Sequence, residues 1–309
     1  MFHVHVQMYR NRHAQVISKE YGRILHQSKE VRTASQIYNL RNSNNGIKSW
    51  LIRRVISTSP LAERKSLSVL DVGAGVGGDL FKFLHQTQVQ EYIGLDISKD
   101  RVNAMIERYN TAIENKTAFG QANVEFHCLD FLQLPSDLVQ RWSNRFDLVN
   151  MQFVMHYFMQ SNSTVHRWLA WLKAVITRGG ARVIITVIDW PTLNGLLTVR
   201  NASTTVQPHT EAPLKPMERT WSNSICRVTG YADQSKETWY KYRFSLLDCV
   251  DSDEYAVDVP WFTAIAEKYY KLRTVEQGLF KDQPAECTQH LSRDELQVFN
   301  LYRYLILYN

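Results

Sequence analysis

With 309 residues, 44% of them hydrophobic and 12% aromatic, the chain has enough apolar mass for one large or two small packed domains, and general disorder is excluded. A formal charge of +6 fits a polyanionic partner such as nucleic acid, and fits an ordinary basic globular protein equally well. Cys128, Cys226, Cys249 and Cys287 lie far apart with no Cys-x-x-Cys pair, which argues against a disulfide framework or a zinc site and for a reducing compartment. No stretch reads as membrane-spanning: the most apolar, 181–188, is short and contains Arg182, and the polar N-terminus lacks the form of a signal peptide.

In chain order, residues 1–60 show no strand alternation. Ile17, Tyr21, Ile24 and Leu25, then Ile47, Leu51, Ile52 and Val55, recur at helical spacing, so we expect an N-terminal helical portion ahead of a main domain at 61–309. Strands are predicted at 67–72, 91–95 and 124–129, with helices at 79–84 and 99–113 between them. A strand at 146–151, a helix at 165–176 stopped by Gly179-Gly180, and an apolar strand at 181–187 follow. This alternation builds a right-handed, doubly wound parallel sheet with flanking helices, an α/β fold of Rossmann-like type. The segment 191–238, rich in Thr, Ser and Asn and carrying Pro208, Pro213 and Pro216, is expected to be an irregular insertion outside that sheet. Strands at 239–247 and 254–259, a helix at 260–270 opened by Pro260, and a terminal strand at 301–308 complete the expectation.

The most informative stretch is Val69-Leu70-Asp71-Val72-Gly73-Ala74-Gly75-Val76-Gly77-Gly78-Asp79, a buried strand turning through glycines. Gly73, Gly75 and Gly78 fit the Gly-x-Gly-x-x-Gly of dinucleotide enzymes, while Gly73, Gly75 and Gly77 fit the Gly-x-Gly-x-Gly of S-adenosylmethionine (AdoMet) enzymes. The loop by itself leaves both open. Asp96 at the end of the second strand suits a ribose in either case, but Asp71 at the end of the first strand would repel a pyrophosphate and attract a sulfonium. Asp130 at the end of the third strand supplies a further polar hold, and together the three acids favour AdoMet.

Beyond the loop, the chain from about residue 37 resembles the messenger RNA cap guanine-N7 methyltransferases. Leu40-Arg41-Asn42-Ser43-Asn44-Asn45-Gly46-Ile47-Lys48 looks like the family's Arg-Asn-x-Asn-Asn-x-Ile-Lys element, and Gly77-Gly78-Asp79-Leu80-Phe81-Lys82 like its Gly-Gly-Asp-Leu-x-Lys. Gln152-Phe153-Val154-Met155-His156-Tyr157 is similar to its Gln-Phe-x-x-His-Tyr, and Tyr242 to Asp248 to its Tyr-x-Phe-x-Leu stretch. The resemblance implies a class I AdoMet-dependent methyltransferase fold, with a mostly parallel seven-stranded sheet and an inserted lobe. It implies a cofactor site at Lys48, Asp71, Gly73, Gly75, Asp79, Asp96, Asp130 and Gln152, and a guanine pocket at Asn44 or Asn45, Phe153, His156, Tyr157, Glu254 and Tyr302. It further implies capped RNA as partner, no metal and no membrane, separate enzymes to build the cap or an activating subunit, and a nuclear location, or a cytoplasmic one for a virus or parasite replicating there.

The residue types suit that chemistry independently. Guanine N7 has a lone pair and no proton to lose, so methyl transfer needs in-line positioning rather than a general base. Aromatic Phe153 and Tyr157 suit a purine face, and Glu254 suits the donors of guanine's N1 and exocyclic amine, which adenine lacks. The chain departs from the family at Val76, where a lysine is usual, and at Ala74, where a cysteine is usual. Lys82, Arg101 and Arg108 remain as candidates to meet a triphosphate. Other readings are a methyltransferase of small molecules or of another RNA position, an inactive capping subunit, and, further off, a dehydrogenase.

Overall fold

The computed structural model describes residues 29–117, 121–199, 218–231, 240–284 and 290–309. Among the described residues, two helices, α1 (Lys29–Ala34) and α2 (Tyr38–Ile56), precede the sheet. Strand β1 (Leu67–Val72), helix α3 (Leu80–Leu84), β2 (Val89–Asp96), α4 (Lys99–Glu114) and β3 (Asn123–Cys128) follow, then α5 (Ser136–Trp142), β4 (Leu148–Gln152), α6 (Asn162–Val175) and β5 (Arg182–Ile188). After α7 (Trp190–Val199) come β6 (Glu218–Ser222), β7 (Cys226–Tyr231), β8 (Lys241–Leu246) and β9 (Val250–Tyr255). The chain closes with α8 (Val259–Tyr270), β10 (Arg273–Leu279), α9 (Arg293–Phe299) and β11 (Tyr302–Tyr308).

Seven strands form one sheet in the order β10-β11-β5-β4-β1-β2-β3. Neighbours from β5 to β3 pair in parallel, β11 runs antiparallel to β5, and β10 is antiparallel to β11. Every residue of β4 and β5 is buried, and β5 reads as an apolar run apart from Arg182 and Thr186. Along β1 the pleat divides the side chains: Leu67 and Val69 enter one core with Ile47, Leu51, Phe83 and Met105, while Leu70 and Val72 enter the opposite core with Trp142, Leu169 and Phe262. Helices thus cover both faces, as expected from the alternation. The strand order reverses at β1, which has β2 on one side and β4 on the other, so a crevice opens at their carboxyl ends.

The insertion differs from the expectation. The described residues of segment 191–238 are regular: they carry most of α7 and strands β6 and β7, which join β8 and β9 in a four-stranded antiparallel sheet. That sheet has one wet face. In β7, Cys226 and Val228 are buried while Arg227 points out. Pro208, Pro213 and Pro216 lie outside the described residues, as do Ile17, Tyr21, Ile24 and Leu25. The strand expected at 254–259 is displaced to Val250–Tyr255, because the turn falls at 247–249 with Asp248 at φ 54°, and buried Val259 starts a helix instead. Helix α2 shares the core of the main sheet through Leu40, Ile47, Leu51, Ile52 and Val55.

Candidate active site

The glycine turn leaves β1 with Gly73, Gly75 and Gly77 at φ of 71°, 59° and 75°, in the left-handed region where a Cβ is strained. Gly78 has no positive φ, and a Cβ there would meet nothing within 4 Å. The third glycine that the backbone requires is therefore Gly77, which selects the Gly-x-Gly-x-Gly pattern over the dinucleotide spacing. A Cβ on Gly73 would stand 2.7 Å from Val154 Cγ2, and one on Gly77 2.9 Å from Met105 Cγ. The turn is tied to β2 by the Gly73 and Ala74 amides, which donate to Leu95 O at 2.8 and 2.9 Å.

The strand-end acids divide into two kinds. Asp96 accepts from the Gly75 amide and from the Ser98 amide, each at 2.9 Å, and lines a cleft of about 620 Å³ with Asp130, Leu95, Phe131 and Phe158. Asp130 also caps a short turn by accepting from the Leu132 amide at 2.9 Å. Asp71 and Asp79, expected beside the cofactor, stand behind the loop and are not among the residues lining either cavity. Asp71 accepts from Tyr92 Oη at 2.6 Å and Asn150 Nδ2 at 2.8 Å, and burial with nearby Asp79 pushes its carboxyl up to about 6. Burial also opposes the charge on Asp79, but Lys48 and Lys82 outweigh it and hold the carboxyl at about 2. Asp79 thus holds Lys48 and Lys82, while Asp71 ties the end of β1 to β2 and β4.

A second cavity of about 1030 Å³ lies across the loop. Asn44 and Lys48 from α2, Gly73 and Gly75 from the turn, Gln152, Phe153 and His156 after β4, Glu254 on β9 and Tyr302 on β11 all line it. The two spaces share Gly73, Arg101 and Phe153, so they meet at the turn. Asn45 is exposed, on another side of α2, and accepts from Lys82 Nζ at 3.1 Å; of the two asparagines it is Asn44 that faces the cavity. Tyr157 lines the first cleft, with its Oη 3.3 Å from Ser252 Oγ.

Four groups here are arranged against their own stability. Phe153 has φ 57°, a strained conformation for a bulky residue that costs about 1–3 kcal/mol, and its amide is fixed to Thr186 O and Oγ1 at 3.1 and 3.0 Å. Its ring meets Tyr302 edge-on at 4.9 Å, and Lys48 Nζ lies 5.6 Å from its centroid. The Gln152 amide is buried, and neither its Oε1 nor its Nε2 has a partner among the described residues. Glu254, 3% exposed, accepts from Tyr242 Oη at 3.0 Å, and burial pushes its carboxyl up to about 8. His156 Nε2 lies 3.5 Å from Glu254 Oε1, but burial lowers the imidazole to about 3, so at neutral pH the pair is uncharged on both sides.

The sequence reading missed the walls of this cavity supplied by the lobe: Phe244, Leu246, Cys249 and Val250. The signal was present in Tyr242, Phe244 and Leu246, which occupy one face of β8. Among the described residues, no group of three His, Cys, Asp or Glu is placed to hold a metal, and no helix is long and apolar enough to cross a membrane.

The strand order, the glycine turn after β1 and the acids ending β2 and β3 define a class I methyltransferase fold. Consistent with this, the structure is similar to magnesium protoporphyrin IX methyltransferase from Synechocystis, with a TM-score of 0.51 and 15% identity over 96% of this chain and 99% of that one, a likeness of fold alone. Residues 5–299 match the mRNA (guanine-N(7))-methyltransferase domain, and the chain belongs to that family. It is 32% identical over 244 residues to the mRNA cap guanine-N(7) methyltransferase of Schizosaccharomyces pombe, covering 77% of this chain and 61% of that protein. It is 27% identical over 268 residues to mRNA cap guanine-N(7) methyltransferase 1 of Arabidopsis thaliana, covering 83% and 65%. The chain thus spans under two thirds of the length of these relatives.

Proposed function

We propose that the protein methylates N7 of the 5'-terminal guanosine of GpppN-capped RNA, with AdoMet as methyl donor. The observation that carries this reading is the meeting of two cavities at Gly73 and Phe153: one ends at strand-end acids, the other is aromatic and holds a buried carboxyl. The residues fit AdoMet. The positive-φ cradle of Gly73 and Gly75 lets a ligand approach the backbone, Asp96 and Asp130 line the adjoining cleft, and the Gln152 amide, without a partner among the described residues, offers a donor and an acceptor. When bound, AdoMet supplies an electrophilic methyl group at the junction.

In this mechanism the protein positions rather than transfers protons. Phe153 and Tyr302 present aromatic surfaces to the purine, and their T-shaped packing fixes the angle between them. Glu254, as the carboxylate, accepts from N1 and the exocyclic amine, and its charge then favours the positive charge that develops on the methylated ring. Neutral His156 is compatible with a reaction that removes no proton. Building the cap falls to a separate RNA triphosphatase and guanylyltransferase, an activating subunit is a further partner, and the eukaryotic relatives support a nuclear setting.

The test is label transfer from AdoMet to GpppG-capped or ApppG-capped RNA. Transfer to the terminal guanosine of the first only is expected. Cofactor binding with no transfer to either would replace the enzyme by an inactive capping subunit, and transfer to both would replace guanine recognition by a looser RNA specificity.

A further inference from the structure

The two buried side chains of β9 are both polar. Ser252 is 1% and Glu254 3% exposed, and they stand two residues apart on one face of the strand, with Phe244 and Tyr242 as their register partners on β8. A hydroxyl buried at a core-facing strand position costs stability unless it is hydrogen-bonded. Ser252 is bonded on two sides. The turn Met155–Phe158 after β4 packs on β9 and brings Tyr157 Oη to 3.3 Å from Ser252 Oγ, and Ser252 also hydrogen-bonds to the Glu254 side chain. A carboxylate only accepts, so toward the charged form of Glu254 the Ser252 hydroxyl donates, and its oxygen accepts from the Tyr157 phenol. Tyr157 lines the first cleft and Glu254 the second cavity, so Ser252 joins the walls of the two.

Other elements turn His156, Cys226 on β7 and Tyr302 on β11 toward Glu254. Burial keeps all three uncharged at neutral pH: it lowers the imidazole to about 3, pushes the thiol up to about 12 and raises the phenol well above its usual value. Burial pushes Glu254 up as well, and the hydroxyls of Tyr242 and Ser252 oppose it.

Building on the function proposed above, we propose that Ser252 is a positioning residue for guanine recognition: its hydroxyl, donated to Glu254 and bonded to Tyr157, holds the carboxylate in place for guanine and ties it to the wall of the first cleft. Tyr242 Oη fixes Oε2 at 3.0 Å, and a second hydroxyl from the other side of the group sets the plane of the carboxyl. A carboxylate has room for about four donors, so two hydroxyls and the N1 and exocyclic-amine donors of guanine can be accepted together.

The experiment compares wild type, Ser252→Ala, Ser252→Thr and Tyr157→Phe. Carbon-13 NMR of protein labelled at its glutamate carboxyls, with the Glu254 signal assigned by its absence in Glu254→Gln, follows the titration without RNA. Methyl transfer across pH gives kcat and KM for capped RNA. Losing a donor disfavours the carboxylate, so Ser252→Ala should move the Glu254 midpoint up by about one pH unit and raise KM about tenfold at neutral pH. At saturating capped RNA the carboxylate is already formed, so kcat should change less than about threefold. Ser252→Thr keeps the hydroxyl and should titrate within about 0.3 pH unit of wild type, while Tyr157→Phe should raise the midpoint by less than Ser252→Ala, since it weakens the Ser252 donor without removing it. An unmoved midpoint in Ser252→Ala overturns the proposal, and so does an equal rise in Ser252→Thr, which would make the effect steric. An unmoved midpoint in Tyr157→Phe overturns the tie to the first cleft. Absence of methyl transfer in the wild type counts against the proposed function and leaves the carboxyl titration readable.

Discussion

Glu254 is 3% exposed and titrates near 8, so at neutral pH most molecules of the free protein carry a proton on the group assigned to guanine recognition. Guanine offers donors to it, and donors prefer the carboxylate, so binding is linked to losing that proton. The KM for capped RNA should therefore fall as pH rises from about 6, by up to tenfold per unit, and level off above about 8. His156, at about 3, adds no inflection in that window. A KM that stays flat between about pH 6 and 8 sinks the assignment of Glu254 to recognition. Stability should move the opposite way. The folded pKa lies above that of an ordinary glutamate, so the contribution of Glu254 is fully present below about pH 4.5 and is lost as pH rises through about 8. Glu254→Gln keeps an acceptor for Tyr242 and has no such loss: thermal melts at about pH 9 should show it more stable than wild type while its methyl transfer is abolished. At this scale the sequence showed which residue types stand at strand ends, but not which neighbours compete for each. Asp71 is at the expected position, yet Tyr92 and Asn150 occupy its oxygens; Asn44 and Asn45 are adjacent in sequence, and only helix rotation sends one to the cavity.

For the elements, legibility followed burial. β1 and β5 are nearly or wholly buried and stood out as largely apolar runs, whereas β10 alternates between exposed and half-buried residues at a sheet edge and went unnoticed. Of the lobe strands, β6 and β7 hid for the same reason, each having one polar face, whereas β8 fell inside the strand expected at 239–247. The glycine turn was visible as a turn, but its choice between two patterns was not, because Gly77 and Gly78 differ in backbone conformation and not in residue type. That difference is testable. Gly78→Ala should change stability by no more than about 0.5 kcal/mol, since open space awaits the methyl group. Gly73→Ala, at φ 71° and 2.7 Å from Val154, should lose about 1–3 kcal/mol in urea denaturation and lose S-adenosylhomocysteine binding by calorimetry. Equal tolerance at the two positions would mean that the turn does not form the cofactor cradle.

Across the whole molecule, the site depends on chain segments that are far apart in sequence being held together around α2. Ser35 donates to the Asp248 carboxylate at 3.1 Å, joining the N-terminal portion to the lobe, and Asn39 Nδ2 donates to His290 O at 2.9 Å near the C-terminal helix. Glu295 is the most buried of these links, at 2% exposure. Its Oε2 accepts from the Ser292 amide, completing the capping box of α9, and its Oε1 accepts from the Leu40 amide on α2, both at 2.9 Å. The Ser-x-x-Glu pattern is readable in the sequence as a helix start; its second partner, 255 residues away, is not. Because α2 delivers Asn44 and Lys48 to the cavity, loosening this link should affect catalysis as well as folding. Glu295→Ala leaves two buried amides without acceptors and should cost about 2–4 kcal/mol, whereas Glu295→Gln, which keeps one acceptor, should cost about half as much. The distinguishing readout is kinetic. If Glu295 served α9 alone, Glu295→Ala would lower the denaturation midpoint and leave both KM values unchanged below the melting range; with α2 displaced, the KM values for AdoMet and for capped RNA should rise together, since Lys48 and Asn44 sit on the same helix.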